Sequence, residues 1–241
     1  MKMRRKRIIV IYRRYLWMGL FIFLLTWAIF AEYNQYAAVP VAVSEDPIYH
    51  HPTREKEVAL TFNVDWGEEY LTGILNVLAE HNSQATFFLT GKWAEKNPEL
   101  VKKIIRGGHQ LGNHGFWHAH PKELNDAELR ALITDNANLL EELSGERTDI
   151  FAPPYGEIDE RIARIAAQTG HRSVMWSIDT IDWQRPAPVV IIGRVLQNLE
   201  PGAIILAHPT EPTLEALPAI LQEIKNEGYK LSTVGELISK E

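Results

Sequence analysis

An α/β domain of mostly parallel strands, closed or partly closed into a barrel, is the fold this sequence predicts. Three observations predict it. From Glu55 onward, seven short apolar runs alternate with six segments of helical period, the signature of repeated βα units. Glycines fall just past the expected helix ends, at Gly107, Gly108, Gly145, Gly170 and Gly228, where a left-handed cap is common. Polar, chemically capable segments follow the apolar runs, and loops after strands are where a βα barrel builds its site.

The strands are expected at Val58–Asn63, Ala85–Leu89, His109–Asn113, Ile150–Ala152, Ser173–Ser177, Ala203–Ala207 and Tyr229–Ser232. Helices are expected near Leu71–His81, Pro98–Arg106, Asp126–Leu143, Asp159–Gln168, Val189–Leu199 and Thr213–Asn226. The third helix is the best marked, because Asn125 can cap it and Glu128 completes a capping box. No internal repeat is apparent.

The chain has 241 residues, 46% of them hydrophobic, enough for one packed domain with extensions. It has no cysteine, which excludes disulfide staples and zinc–thiolate sites. Residues 1–14 carry seven lysines and arginines and read as a basic cytoplasmic segment. Residues 15–31 are free of charge and long enough for a short transmembrane anchor, with the basic flank inside and the following domain outside the membrane. A cleaved signal peptide and a core helix are the rival readings; no small-x-small cleavage site follows the run, and the run is not amphipathic. Residues 32–54 contain Pro40, Pro47 and Pro52 and read as a linker, able to span about 75 Å when extended. Residues 55–241 form the folded domain. Without the basic start, 18 basic residues face 31 acidic ones, a balance that excludes nucleic acid and anionic lipid as ligands of the domain.

Five segments carry the chemistry. They are Thr61–Gly67 (TFNVDWG), Gly112–His118 (GNHGFWH), Phe151–Gly156 (FAPPYG), Asp179–Trp183 (DTIDW) and Leu206–His208 (LAH). His114 and His118 are four apart, so one helical turn would face both imidazoles the same way. Two such nitrogens with the Asp65 carboxylate make a three-ligand zinc set with an open position. The plainer reading makes His114, His118 and His120 polar loop residues. Asp182 and His208 form a second candidate pair, in which a carboxylate fixes the histidine tautomer; alternatively Asp179 and Asp182 only start a turn. Trp66, Trp117, Tyr155 and Trp183 fall in the same segments and could present ring faces to a ligand or pack in the core.

In order and spacing these segments resemble the motifs of the polysaccharide deacetylases, carbohydrate esterase family 4, the NodB homology domain. The likeness runs from about Glu55 to the C-terminus, and the Asn63-Val64-Asp65-Trp66-Gly67 form looks like the sporulation-associated bacterial branch. The resemblance implies a distorted (β/α)7 barrel and a divalent metal, usually zinc. It also implies hydrolytic removal of acetyl groups from N-acetylated amino sugars of peptidoglycan or chitin-like glycans. By that likeness Asp65, His114 and His118 hold the metal, and His208 is the general acid oriented by Asp182. The Tyr155 backbone N–H helps bind the oxyanion, while Trp183 and Leu206 line the acetyl pocket.

The chain departs from this pattern in three places. Asn63 stands where the family has an acidic general base, and an amide cannot take the proton. Ala152 stands where an arginine usually holds that base, and Gly115 replaces a hydroxyl residue. The first two changes are coupled, because a buried arginine without its carboxylate would be an unpaired charge. Reading Asp65 as the base instead would leave the metal only two histidines. The expected activity is therefore a metal-dependent deacetylase with impaired turnover; the alternative is a glycan-binding pseudoenzyme of the same fold.

Overall fold

The strand Glu57–Val64 (β1) lies at the centre of the domain, with all eight of its residues buried. Its alternation explains how. Val58, Leu60, Phe62 and Val64 face the helices in one apolar cluster, while Ala59 joins a second cluster inside the curled sheet. A strand covered on both faces reads as a nearly continuous apolar run, and period-two alternation sends Thr61 and Asn63 to the same side as Ala59.

The computed structural model describes residues 15–24, 26 and 44–239. The chain separates into two units, Met1–Val41 and Ala42–Glu241. In the first, residues 15–24 and 26 are helical. Among the described residues no helix is long and apolar enough to cross a membrane. The basic segment, the remainder of the expected anchor and linker residues 32–43 lie outside the described residues.

In the second unit β1 pairs in parallel with Thr86–Leu89 (β2), Ile204–Ala207 (β7) and Lys230–Ser232 (β8). Beyond β2 come Gln110–Asn113 (β3), Ile150–Phe151 (β4) and Arg172–Ser173 (β5), and beyond β7 comes Ile178–Asp179 (β6). Every ladder is parallel. Helices α1 (Glu68–Glu80), α2 (Gly91–Lys96), α3 (Pro98–Arg106), α4 (Asp126–Ser144), α5 (Glu160–Gln168), α6 (Pro188–Gln197), α7 (Glu211–Asn226) and α8 (Val234–Ile238) connect or follow the strands.

The sheet is a parallel half-barrel, the open form of the expected distorted barrel. Of the expected strand Ser173–Ser177 only Ser173 lies in a strand, β5, and the next strand, β6, begins at Ile178 at the opposite end of the sheet path. Only residues 174–177 join those edges, a reach of roughly 17 Å, so the sheet must curl to bring its ends near each other. Residues 48–51, expected as linker, lie along that opening. Ile48 bridges Val174 and His50 bridges Ala203. The Ile48 N–H donates to the Ser173 carbonyl at 2.8 Å, the Met175 N–H to the Ile48 carbonyl at 2.8 Å, and the His51 N–H to the Gly202 carbonyl at 2.9 Å. Ile48 also packs on the interior cluster.

Local signals placed most helices correctly. Asn125 accepts from the Ala127 and Glu128 amides while Glu128 bonds back to Asn125, so the capping box is formed. Gly108, Gly145, Gly170 and Gly228 all have positive φ. Two helices went unforeseen. α2 has only six residues, too few to show a period, and α8 has five but starts with its own Thr233–Glu236 capping box.

The bridged segment should contribute measurably to stability. A chain shortened to begin at Glu55 loses three backbone hydrogen bonds and the Ile48 contact, together about 2–4 kcal/mol. Urea unfolding of chains beginning at Ser44 and at Glu55 should show that gap, and equal midpoints would mean the segment is not part of the folded unit.

Candidate active site

The C-terminal ends of the parallel strands bring segments from across the sequence to one end of the sheet. Asp65 follows β1 and is half-buried. Its Oδ1 accepts the Thr90 hydroxyl at 2.8 Å, and Thr90 itself lies just past β2. Trp66 turns outward and stacks on the His208 ring, 6.0 Å between centroids and 5° between planes. Gly67 permits this approach. Its φ is 84°, and a Cβ there would sit 2.1 Å from the Pro209 carbonyl oxygen.

His114 follows β3 and is buried. Its Nδ1 lies 2.7 Å from the Ala152 carbonyl. A carbonyl only accepts, so Nδ1 carries the proton and Nε2 keeps its lone pair, the arrangement that usually accompanies metal ligation. Burial, with help from the neighbouring His118, pushes the His114 imidazole down to about 3. The His118 ring lies 5.1 Å from that of His114. Burial lowers the His118 pKa, the Asp65 carboxylate opposes that shift, and His208 and His120 reinforce it. These groups therefore share one electrostatic neighbourhood. Among the described residues, however, no three His, Asp or Glu side chains are gathered into a group that could hold a metal ion. The rings of His114 and His118 lie side by side, Asp65 lines the same groove as His118, and the Asp65 carboxylate accepts the Thr90 hydroxyl.

A network pins the His114 loop from beneath. Asn113 donates to the Ile133 carbonyl at 2.8 Å, and its Oδ1 accepts from the Gly115 amide and from Asn136, each at 2.8 Å. Asn136 also donates to the Leu89 carbonyl at 2.9 Å. Gly115 turns with φ 80°, a conformation in which a serine or threonine would be strained, so the backbone here suits glycine.

On the opposite side, Asp182 is wholly buried. Its Oδ1 accepts His208 Nδ1–H at 2.7 Å, and its Oδ2 accepts the His208 amide and the Thr213 hydroxyl, both at 2.6 Å. The preceding Ile181 has φ 50°, a costly conformation for a β-branched residue and one that clusters at functional sites. His208 Nδ1 is thus committed and its other nitrogen is left to act. Thr90, Thr213 and Asn136 were missed in the sequence because single polar residues in a helix or at a strand end carry no motif, and Asn113, though within the Gly112–His118 segment, was given no role.

Tyr155 has φ 59° and is exposed. Its hydroxyl donates to the His118 carbonyl at 3.4 Å, and its ring stacks on His120 with centroids 3.8 Å apart. His120 in turn contacts Glu157 at 2.9 Å. Leu206 is buried in β7, whereas Trp183 is 55% exposed. Asn63 is buried with Oδ1 unpartnered. Ala152 packs with Phe88, Ile150 and Val174 inside the sheet.

A model of the polysaccharide deacetylase family matches residues 50–174. The chain belongs to that family. It is 37% identical over 188 residues to the peptidoglycan-N-acetylglucosamine deacetylase of Bacillus cereus, covering 76% of this chain and 68% of that one. It is 41% identical over 199 residues to the uncharacterized protein YlxY of Bacillus subtilis, covering 83% of this chain but only 62% of that protein's length. Among solved structures, BA3943 of Bacillus anthracis, a CE4 family pseudoenzyme, superposes with a TM-score of 0.79 at 39% identity, covering 81% of this chain and 70% of that one. A mutant of BA3943 described as having restored enzymatic activity superposes equally well.

Buried histidines outside the proposed ligand pair set a pH dependence. Burial pushes His171 and His109 each down to about 4. Both stay neutral in the folded protein, while the unfolded chain protonates near 6.5. Their contribution is full above about pH 6.5 and is lost as pH falls toward 4, at up to about 1.4 kcal/mol per pH unit for each residue. Thermal unfolding followed from pH 7 to 4.5 should show this slope, flattened in the double variant His109→Gln with His171→Gln. An unchanged slope would assign the acid sensitivity to other groups.

Proposed function

We propose that this domain is a divalent-metal-dependent N-deacetylase of acetylated amino sugars in cell-wall polysaccharide, hydrolysing a linear amide C–N bond slowly for want of its general base. The observation that carries the proposal is the contrast between two halves of the site. Asp182 and His208 are in place with every Asp182 oxygen satisfied, while Asn63 Oδ1 is buried without a partner.

The donor chemistry supports a metal, most simply zinc. His114 offers Nε2 because Nδ1–H is held by Ala152, His118 stands beside it, and Asp65, lining the same groove as His118, would supply the carboxylate. When bound there, the ion would polarise the amide carbonyl and make water a better nucleophile near neutral pH. The remaining work falls to the chain itself. His208, held by Asp182 through Nδ1, presents its second nitrogen to protonate the leaving amine. The Tyr155 amide, aimed by a left-handed backbone, would meet the developing oxyanion. Leu206 would floor the acetyl pocket with Trp183 at its rim, and Trp66, stacked on His208, offers a face to a sugar ring. What fails is removal of the proton from water, because the amide of Asn63 cannot accept it.

A second reading follows from the same residues. With Asn63 and Ala152 in place the cleft could bind glycan without turnover, as expected for a relative of the pseudoenzyme BA3943. Peptidoglycan is the favoured glycan because the named relatives act on it, with chitin-like chains the alternative. The basic start and charge-free run of residues 1–31 support a single-pass anchor in the cell membrane, with the domain outside the cytoplasm, and the Asn63-Val64-Asp65-Trp66-Gly67 form of the first motif supports a sporulation-linked cell-wall role.

The test couples the two altered positions. Ala152→Arg alone places a charge in an apolar cluster and should destabilise by several kcal/mol. Asn63→Asp with Ala152→Arg should recover that stability and raise acetate release from acetylated oligosaccharides by about 10²–10⁴-fold. Zinc-dependent release by the unmodified chain, abolished in His208→Ala, would exclude the binding-only reading. If the double variant gains nothing over Asn63→Asp, the coupled account of the base is wrong.

A further inference from the structure

One groove beside the site is used by nothing above. It encloses about 360 Å³ and is lined by Asp65, Trp66 and His118 on one side and by Lys92, Lys96 and Trp117 among the rest. Because it shares Asp65 and His118 with the proposed metal site, whatever lies in it continues the reacting sugar.

Its two lysines stand against two carboxylates, Asp65 and Glu68, a more basic balance than that of the domain, which outside the N-terminal segment has 18 basic against 31 acidic residues. Lys92 and Lys96 are one helical turn apart on α2, so both project to the same side. Their helix is held in place. The Gly91 amide donates to the Gly115 carbonyl at 3.0 Å and the Lys92 amide to the Phe116 carbonyl at 2.8 Å, tying α2 to the loop that carries His114 and His118. Of the two carboxylates, Glu68 accepts the Trp93 indole N–H at 3.4 Å and Asp65 accepts from Thr90; Asp65 would be taken up by the proposed metal, which leaves Glu68 against the two lysines. Among the described residues the lysine ion pairs are those of Lys102 and Lys230, and neither Lys92 nor Lys96 makes one.

We propose that Lys92 and Lys96 form a subsite for a carboxylate carried by the glycan beside the sugar that occupies the reaction centre. A chain of N-acetylglucosamine alone has no charge to offer. A muramic-acid residue carries a lactyl carboxylate, and a peptide stem on that lactyl group carries more. Two ammonium groups on a fixed helix select such a chain over a neutral one, with Trp66 and Trp117 available to the sugar faces. This rests on the glycan reading above and sharpens it from acetylated amino sugars in general to anionic, muramic-type glycan.

The test is calorimetric binding to the zinc-loaded full chain at 50 mM salt. The probes are neutral chitotetraose, a glucosamine–muramic tetrasaccharide without peptide, and the same tetrasaccharide with its peptide stems. The anionic glycans should bind roughly three- to tenfold more tightly than the neutral one, as two partly exposed charges allow, and the preference should fade by 0.5 M salt. Lys92→Ala with Lys96→Ala should erase the preference while leaving chitotetraose affinity in place, and the paired arginine substitutions should keep it. A preference shown by both anionic probes identifies the lactyl carboxylate; one confined to the peptide-bearing probe identifies the stem. Equal affinities in the unmodified chain, or a preference that survives the alanine pair, would overturn the subsite alone. Failure to bind any of the three glycans would overturn the subsite and the proposed function together.

Discussion

Parallel pairing onto β1 is the constraint on which the rest of the domain depends. A strand with neighbours in register on both sides, and apolar cover on both faces, cannot slip by one residue without reversing every side chain. That register sends Val58, Leu60, Phe62 and Val64 toward the helices and Ala59, Thr61 and Asn63 into the curl of the sheet. Because the ladders are all parallel, every strand ends at the same side. Residues separated by more than a hundred positions, such as Asp65 and His208, are thereby delivered to one place. The catalytic geometry is a consequence of strand direction before it is a property of any loop.

The two halves of the site have different fates on this scaffold. Asp182 is a buried carboxylate made tolerable by three donors, two from His208 and one from Thr213. Loss of any donor would leave part of a buried charge unsatisfied. The other half holds no charge. Asn63 is an amide with a buried, unpartnered Oδ1, and Ala152 packs in the interior apolar cluster. An unpartnered amide oxygen costs far less than an unpartnered carboxylate, so an amide at position 63 is compatible with the fold, and under the proposed function it is the base position left without a proton acceptor.

Much of the architecture was legible in the sequence. Strand and helix order followed from alternating periods, the Asn125 and glycine caps from local hydrogen-bond chemistry, and the candidate residues from motifs at strand ends. That the fifth expected strand is mostly a crossing between sheet edges was not legible, because a run of five residues gives no sign that its two ends bond to opposite edges of the sheet. Nor was the use of Ile48 and His50 as a bridge over the sheet opening, since three prolines nearby made the segment read as linker. The Asn113–Asn136–Leu89 network and the Thr90 and Thr213 hydroxyls were hidden because each rests on a contact between distant parts of the chain.

The sequence by itself determined which residue types are present: an amide at position 63, an alanine at 152, two histidines four apart, and an aspartate to pair with His208. These are matters of chemistry that no fold can alter. Only the tertiary structure decided their company. It joined both Asp182 oxygens to His208 and Thr213, put the proton of His114 on Nδ1 against the Ala152 carbonyl, engaged Asp65 with Thr90, and left Asn63 Oδ1 alone. The physical reason is that hydrogen bonding and burial depend on which groups meet in space, and here they meet through parallel strands drawn from the whole length of the domain.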